Sequence, residues 1–134
     1  MTASTRPISD STAFLRKAFL ANAAFSALSA AVFLIGDGLV AALLDAFDAL
    51  GAIHFVGLNL AVFAAFLVWL SRRDAIPSGL AWAVIAADLA WVIASWVAIA
   101  AGLTSGQGTW AVAVVADIVT LFAVLQFVGV RRAF

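Results

Sequence analysis

All seven cationic side chains of this chain fall on one side of a four-span hydrophobic pattern. Arg6, Arg16 and Lys17 precede the first apolar run, Arg72 and Arg73 separate the second from the third, and Arg131 and Arg132 follow the fourth. The other two connections carry no Lys or Arg. Cytoplasmic loops of membrane proteins retain these residues, so the distribution predicts two hairpins dipping through a bilayer, with the N- and C-termini both cytoplasmic.

Composition supports the same class. The 134 residues are 66% hydrophobic and 10% charged, with a mean hydropathy of +1.18, whereas soluble domains are only about half apolar. Four spans of about 20 residues consume the length. That predicts a single transmembrane domain and leaves no room for a soluble catalytic or receptor module. The formal net charge is zero and the cations come in pairs at span ends, so no nucleic-acid footprint is present. The absence of cysteine removes thiolate nucleophiles, thiol metal sites and disulfides.

Polarity along the chain predicts a flexible tail over 1–12, capped into the first helix by Ser11 or Thr12, and spans over about 13–35, 52–70, 79–101 and 109–130. Arg16-Lys17, followed by apolar residues and the small run Ser26 to Ala30, has the outline of a signal peptide. Asn22 and the continuation of the apolar run to Ile35 speak for a retained span instead. Between spans one and two, residues 39–50 are too short to cross. They place Leu39, Leu43, Phe47 and Leu50 on one face and Asp45 and Asp48 on the other, the pattern of a short helix lying in the outer interface. The fold class expected is therefore all-α, an antiparallel four-helix bundle in up-down-up-down order with one interfacial helix.

Four of the five tryptophans fall near an interface, Trp69 and Trp82 on the inner side and Trp96 and Trp110 on the outer, as in an aromatic belt. Trp91 falls near mid-membrane, where its indole N–H needs an unusual partner. Spans three and four also echo each other, Trp82 preceding Asp88 by the same Ala/Val-rich run that separates Trp110 from Asp117, with one residue more.

Chemistry concentrates in the few polar residues of the spans, each costly in hydrocarbon, about 2.5–3.5 kcal/mol for a central Asp. Helical rise puts Asp88 near the midplane, matches Asp117 in depth to Asn59, and matches Asn22 to Gln126. Phase groups Asn22, Ser26 and Ser29 on one face of span one, Asp88 and Ser95 on one face of span three, and Asp117 and Thr120 on one face of span four. These faces are expected to point inward, with Asn59 and Trp91 completing a polar site. Gln126, nine residues from Asp117, then falls on the opposite side of its helix. Asp88 and Asp117 are expected to act as interhelical hydrogen-bonding groups; the other reading makes them a proton or cation relay, or the polar end of a small-ligand cavity. No intramembrane Lys or Arg is available to either.

Catalysis finds no support. The lone His54 lies near the outer end of span two, far in depth from Asp88, and no Gly-x-Ser-x-Gly turn exists. A metal site of His54 with Asp45 or Asp48 is the weaker reading beside a histidine facing water. No cofactor is implied.

Leu15-Arg16 leading span one, Trp69 to Arg73 closing span two, Asp88 to Ser95 within span three, and Leu121 through Gln126 to Arg132 closing span four together resemble a group of small bacterial four-span membrane proteins of unassigned function. The resemblance implies an inner-membrane four-helix bundle and supplies no activity. The leading expectation is a non-enzymatic accessory or interaction subunit whose partners are the bilayer and either further copies or a larger membrane complex. The alternative is a homo-oligomeric transporter or channel for a small solute, cation or proton, using Asp88 and Asp117.

Overall fold

The computed structural model describes residues 8–134, and among them there is no strand. Helix α1 spans Ile8–Ile35, α2 Asp37–Leu44, α3 Leu50–Ser71, α4 Ser78–Ala100 and α5 Gly106–Ala133, with a single 3-10 turn, Phe47–Ala49, leading into α3. α1, α3, α4 and α5 are long and apolar enough to cross a membrane. Their outward faces are apolar too: Leu28, Phe55, Ile93 and Val97 are each at least 60% exposed. Such a surface suits lipid and does not suit water.

Two elements depart from expectation. α1 begins at Ile8, so the helix includes residues 8–12 of the expected tail and needs no cap at Ser11 or Thr12; small polar residues are accepted in a first helical turn as readily as in a tail. Residues 1–7 of that tail lie outside the described residues. The interfacial helix is not one piece over 39–50. α2 ends where Asp45 takes a left-handed conformation, φ 52°, which Asp tolerates better than most residues. The Ala46 N–H then bonds back to the Ala41 carbonyl at 2.9 Å, closing the helix. The buried side of α2 is Val40 and Ala41, while Leu39 and Phe47 are 61% and 62% exposed. Amphipathic phase located the wet Asp45 and missed this break, because a turn was read as continued helix.

Turn chemistry fixes the remaining corners. Pro77 precedes α4, where its missing N–H costs nothing. α4 ends with Gly102 at φ +75°, its N–H bonded to Ile99 O and the Leu103 N–H to Ala98 O, a paired closure that favours glycine at this position.

The packing order is not a closed square. α3 lies against α1, α1 against α5 and α5 against α4, while the backbone of α4 stays apart from those of α3 and α1. α2 rests across α1, α3 and α5. The dense core sits at the end where the arginines gather, built from Leu15, Phe19, Leu67, Leu70, Val84, Ile85 and Val130. Gly129 permits the α1–α5 crossing there, since a Cβ on it would come within 2.9 Å of the Leu15 Cα.

Arg16 secures this end. Its Nη1 donates to the Ser71 carbonyl at 2.7 Å and the Arg73 carbonyl at 2.6 Å, its Nη2 to the Asp74 carbonyl at 3.1 Å, and its Nε to Thr12 Oγ1 at 3.1 Å. A single guanidinium thus satisfies the last carbonyl of α3 and two carbonyls of the loop that follows it. Replacing Arg16 by Ala should lower stability by about 1.5–3 kcal/mol, the range for hydrogen bonds to charged groups. Arg16→Lys should recover only part of this, because an ammonium lacks the planar fork. Thermal or denaturant unfolding in detergent checks both, and equal stability of Arg16→Lys and the parent would contradict the forked contact.

Candidate functional site

Helices α1, α4 and α5 each place one buried polar side chain at a common point. Asn22 Nδ2 donates to Asp88 Oδ2 at 2.9 Å and to Gln126 Oε1 at 2.9 Å, and Gln126 Nε2 donates to the same Asp88 Oδ2 at 2.7 Å. Ser26 Oγ, one turn along α1, donates to Asn22 Oδ1 at 3.2 Å. All four residues are buried, with Gln126 and Asn22 at 0% and 1% exposure. The three-way contact closes a ring of hydrogen bonds and joins α4 to α1, two helices whose backbones do not otherwise pack together.

Asp88 uses one oxygen for both amides. Oδ1 makes no hydrogen bond among the described residues, and Asp88 lines a cavity of about 730 Å³. That cavity occupies the gap between α3 and α4. Its polar end holds Asn22, Ser26 and Asp88; its apolar body is walled by residues such as Phe25, Phe63, Phe66 and Val115, and α2 roofs it with Val40, Leu43 and Leu44. The volume lies within the range of about 300–1,000 Å³ typical of small-molecule pockets. Trp91, one turn beyond Asp88 on α4, also lines it, and its Nε1–H is buried without a hydrogen-bond partner. A buried donor left unpaired is costly, and none of the described residues supplies the partner that this indole needs.

The expected site divides in two. Asn22, Ser26 and Asp88 converge, and the depth match of Asn22 with Gln126 becomes a direct contact. Ser29, Asn59 and Ser95 line the cavity but add no interhelical bond: Asn59 Nδ2 donates to the Phe55 carbonyl and Ser95 Oγ to the Trp91 carbonyl, each within its own helix at 2.8 Å. Asp117 is the correction. It is exposed on the outer side of α5 and makes no hydrogen bond among the described residues, and Thr120 Oγ1 bonds only the Ala116 carbonyl of its own helix. Gln126, on the opposite side of α5, is the inward group.

The cue lay in the echo between spans. Six residues separate Trp82 from Asp88 and seven separate Trp110 from Asp117; the added residue turns the carboxyl by about 100°. A seven-residue step nearly restores phase, so Asp117 shares the face of Trp110, which is 76% exposed.

At the opposite end His54 meets Asp37 and neither Asp45 nor Asp48, with Nε2 to Oδ2 at 2.8 Å and both side chains well exposed. The hydrogen bond from His54 holds the Asp37 carboxyl below its usual range. A depressed carboxyl stabilises the fold above its unfolded-state pKa and loses that contribution as pH falls through the lowered value. The pair therefore fastens the start of α2 to α3 at neutral pH and releases in acid.

Substitution of Asp88 by Asn retains an oxygen to accept from Asn22 and Gln126, so stability should change little. Asp88→Leu removes one hydrogen bond from each amide, leaving Gln126 Nε2 without its acceptor, and should cost about 1 to 2 kcal/mol, near the upper end of hydrogen-bond values in membrane helices. Asp117→Asn and Asp117→Leu should both leave the stability of the isolated chain unchanged. Unfolding in mild detergent separates these outcomes, and an Asp88→Leu chain as stable as the parent would remove the ring from the account.

No protein-family model, curated protein sequence or solved structure matches this chain.

Proposed function

We propose that this chain is an integral protein of the bacterial inner membrane, a single domain crossing four times as an antiparallel bundle with both termini cytoplasmic. Its role is non-enzymatic: an interaction subunit that holds a neutral, lipid-soluble molecule in the cavity between α3 and α4. The gathering of Arg16, Arg73 and Arg132 at one end supports the orientation. Arg16 binds the α3–α4 loop, Arg73 lies over the Trp69 ring at 4.9 Å and Arg132 over the Phe14 ring at 4.7 Å, the placement of cationic and aromatic anchors at a membrane surface.

The observation that carries the ligand is the pair of uncommitted groups at the polar end of an apolar cavity. Asp88 Oδ1 and Trp91 Nε1 lie one helical turn apart, with side chains three residues apart sharing a face. A neutral acid at Asp88 has Oδ2 as its carbonyl oxygen, accepting both amides, and Oδ1 as a hydroxyl free to donate. Hydroxyl and indole together offer two donors to a single acceptor oxygen. The guest they suit is an apolar body bearing a carbonyl or ether oxygen, entering sideways from lipid between α3 and α4.

The alternative, a homo-oligomeric transporter or channel for a small solute, cation or proton using Asp88 and Asp117, draws less support. The two carboxyls face away from each other, and the dense core of Phe19, Leu67, Val84 and Ile85 lies between the cavity and the arginine end.

A matched pair of probes tests the ligand reading: 2-undecanone and undecane, equal in chain length and differing in the carbonyl. With protein in detergent, binding to the folded state raises the unfolding temperature by mass action. The ketone should stabilise the protein beyond the alkane, and Trp91→Phe should abolish that difference. Val115→Phe, which fills the cavity wall, should remove the effect of both. Equal shifts for ketone and alkane, or a ketone effect indifferent to Trp91→Phe, would overturn the proposal.

A further inference from the structure

The carboxyl of Asp117 sits in the outer face of α5 among apolar side chains. Trp110, Val114, Leu121 and Val124 flank it and are 76%, 52%, 55% and 52% exposed. Together with Asp117 they recur at spacings of four, three, four and three residues, the repeat of a left-handed helix–helix seam. At about 1.5 Å per residue, Asp117 lies some 16 Å from the first residue of α5 and some 21 Å from Arg131. Neither end of the helix is within reach of a carboxylate side chain, so snorkelling to a headgroup is closed to it. A carboxyl alone in hydrocarbon is expensive, and none of the described residues gives it a hydrogen bond.

We propose that the Asp117 face of α5 is the interface of a parallel homodimer in the membrane, with the two Asp117 carboxyls paired across its two-fold axis. A two-fold contact brings each residue against a copy of its own neighbourhood, so an interface group must complement itself. A neutral carboxylic acid does so: its hydroxyl donates to the partner's carbonyl oxygen and its carbonyl accepts in return. The pair needs no cation, and Arg16, Arg73 and Arg132 gather at the end of the spans away from Trp110. Small and β-branched Val114 and Val124 beside it allow the helices to approach, and Trp110 closes the seam near the surface. The face is independent of the cavity: Asp117, Val114, Leu121 and Val124 line none of it.

Because the chain has no native cysteine, single cysteines report the seam cleanly. In membranes, Val114→Cys and Leu121→Cys chains should oxidise to disulfide-linked dimers, whereas Leu28→Cys on the exposed face of α1 should remain monomeric. Adding Asp117→Leu should cut the cross-linked fraction and weaken dimerisation of the cysteine-free chain about tenfold, measured by energy transfer between labelled copies at graded dilution in lipid; tenfold is about 1.4 kcal/mol. Asp117→Asn, whose carboxamide is also self-complementary, should keep the dimer. Unfolding of Asp117→Leu measured alongside establishes that the monomer remains folded. Equal cross-linking at Leu28→Cys and Leu121→Cys, a monomer at every dilution, or an Asp117→Leu chain that dimerises as the parent does would each overturn the proposal. A monomer in pure lipid that gains an Asp117-dependent cross-link only to a different membrane protein would equally overturn it, assigning the carboxyl to a cationic partner.

Discussion

The ring of hydrogen bonds among Asn22, Asp88 and Gln126 is the contact on which the arrangement of the helices turns. Helices as apolar as these gain little from excluding lipid, so their association rests on close packing and on polar side chains that find one another. α4 packs closely only against α5. The amides of Asn22 and Gln126 give it a second anchor, through Asp88, to α1. Beyond the apolar core at the arginine end, which Val84 and Ile85 share with Leu15 and Phe19, the ring is what holds α4 to α1.

That anchor has a structural consequence. With α4 tied at Asp88, the chain packs densely towards the arginine end, where Leu15, Phe19, Leu67 and Val84 fill the space, and α3 and α4 stay apart beyond it. The cavity is the volume left by this asymmetry, roofed by α2, which the Asp37–His54 pair fastens to α3. The ring thus does two things: it satisfies three polar groups that would be costly alone, and it leaves Asp88 Oδ1 uncommitted, one helical turn along α4 from Trp91. A site of this kind is a by-product of how the helices are held.

Much of this was legible in the residues. The paired arginines and the apolar runs located four long helices, depth alone matched Asn22 to Gln126, and the central position of Trp91 flagged an indole short of a partner. What escaped was rotational. Depth follows from residue count along one helix, whereas the face a helix turns inward depends on neighbours that a single sequence does not display. The face that Asp117 shares with Thr120 is expected inside and the side of Gln126 opposite to it; the structure reverses them. The break at Asp45 escaped for a different reason. An Asp in left-handed conformation leaves no mark in hydrophobic periodicity, and the residues on either side keep helical character.

The most direct measure of the ring is a double-mutant cycle between Asn22→Ala and Asp88→Ala, read by reversible unfolding in bicelles. If the two side chains share a hydrogen bond within a closed network, their effects should fall short of additivity by about 0.5–1.7 kcal/mol, while the cycle of Asp88→Ala with Asp117→Ala should be additive. Additivity of the Asn22 and Asp88 substitutions within about 0.3 kcal/mol would contradict the claim that this contact holds α4 to α1.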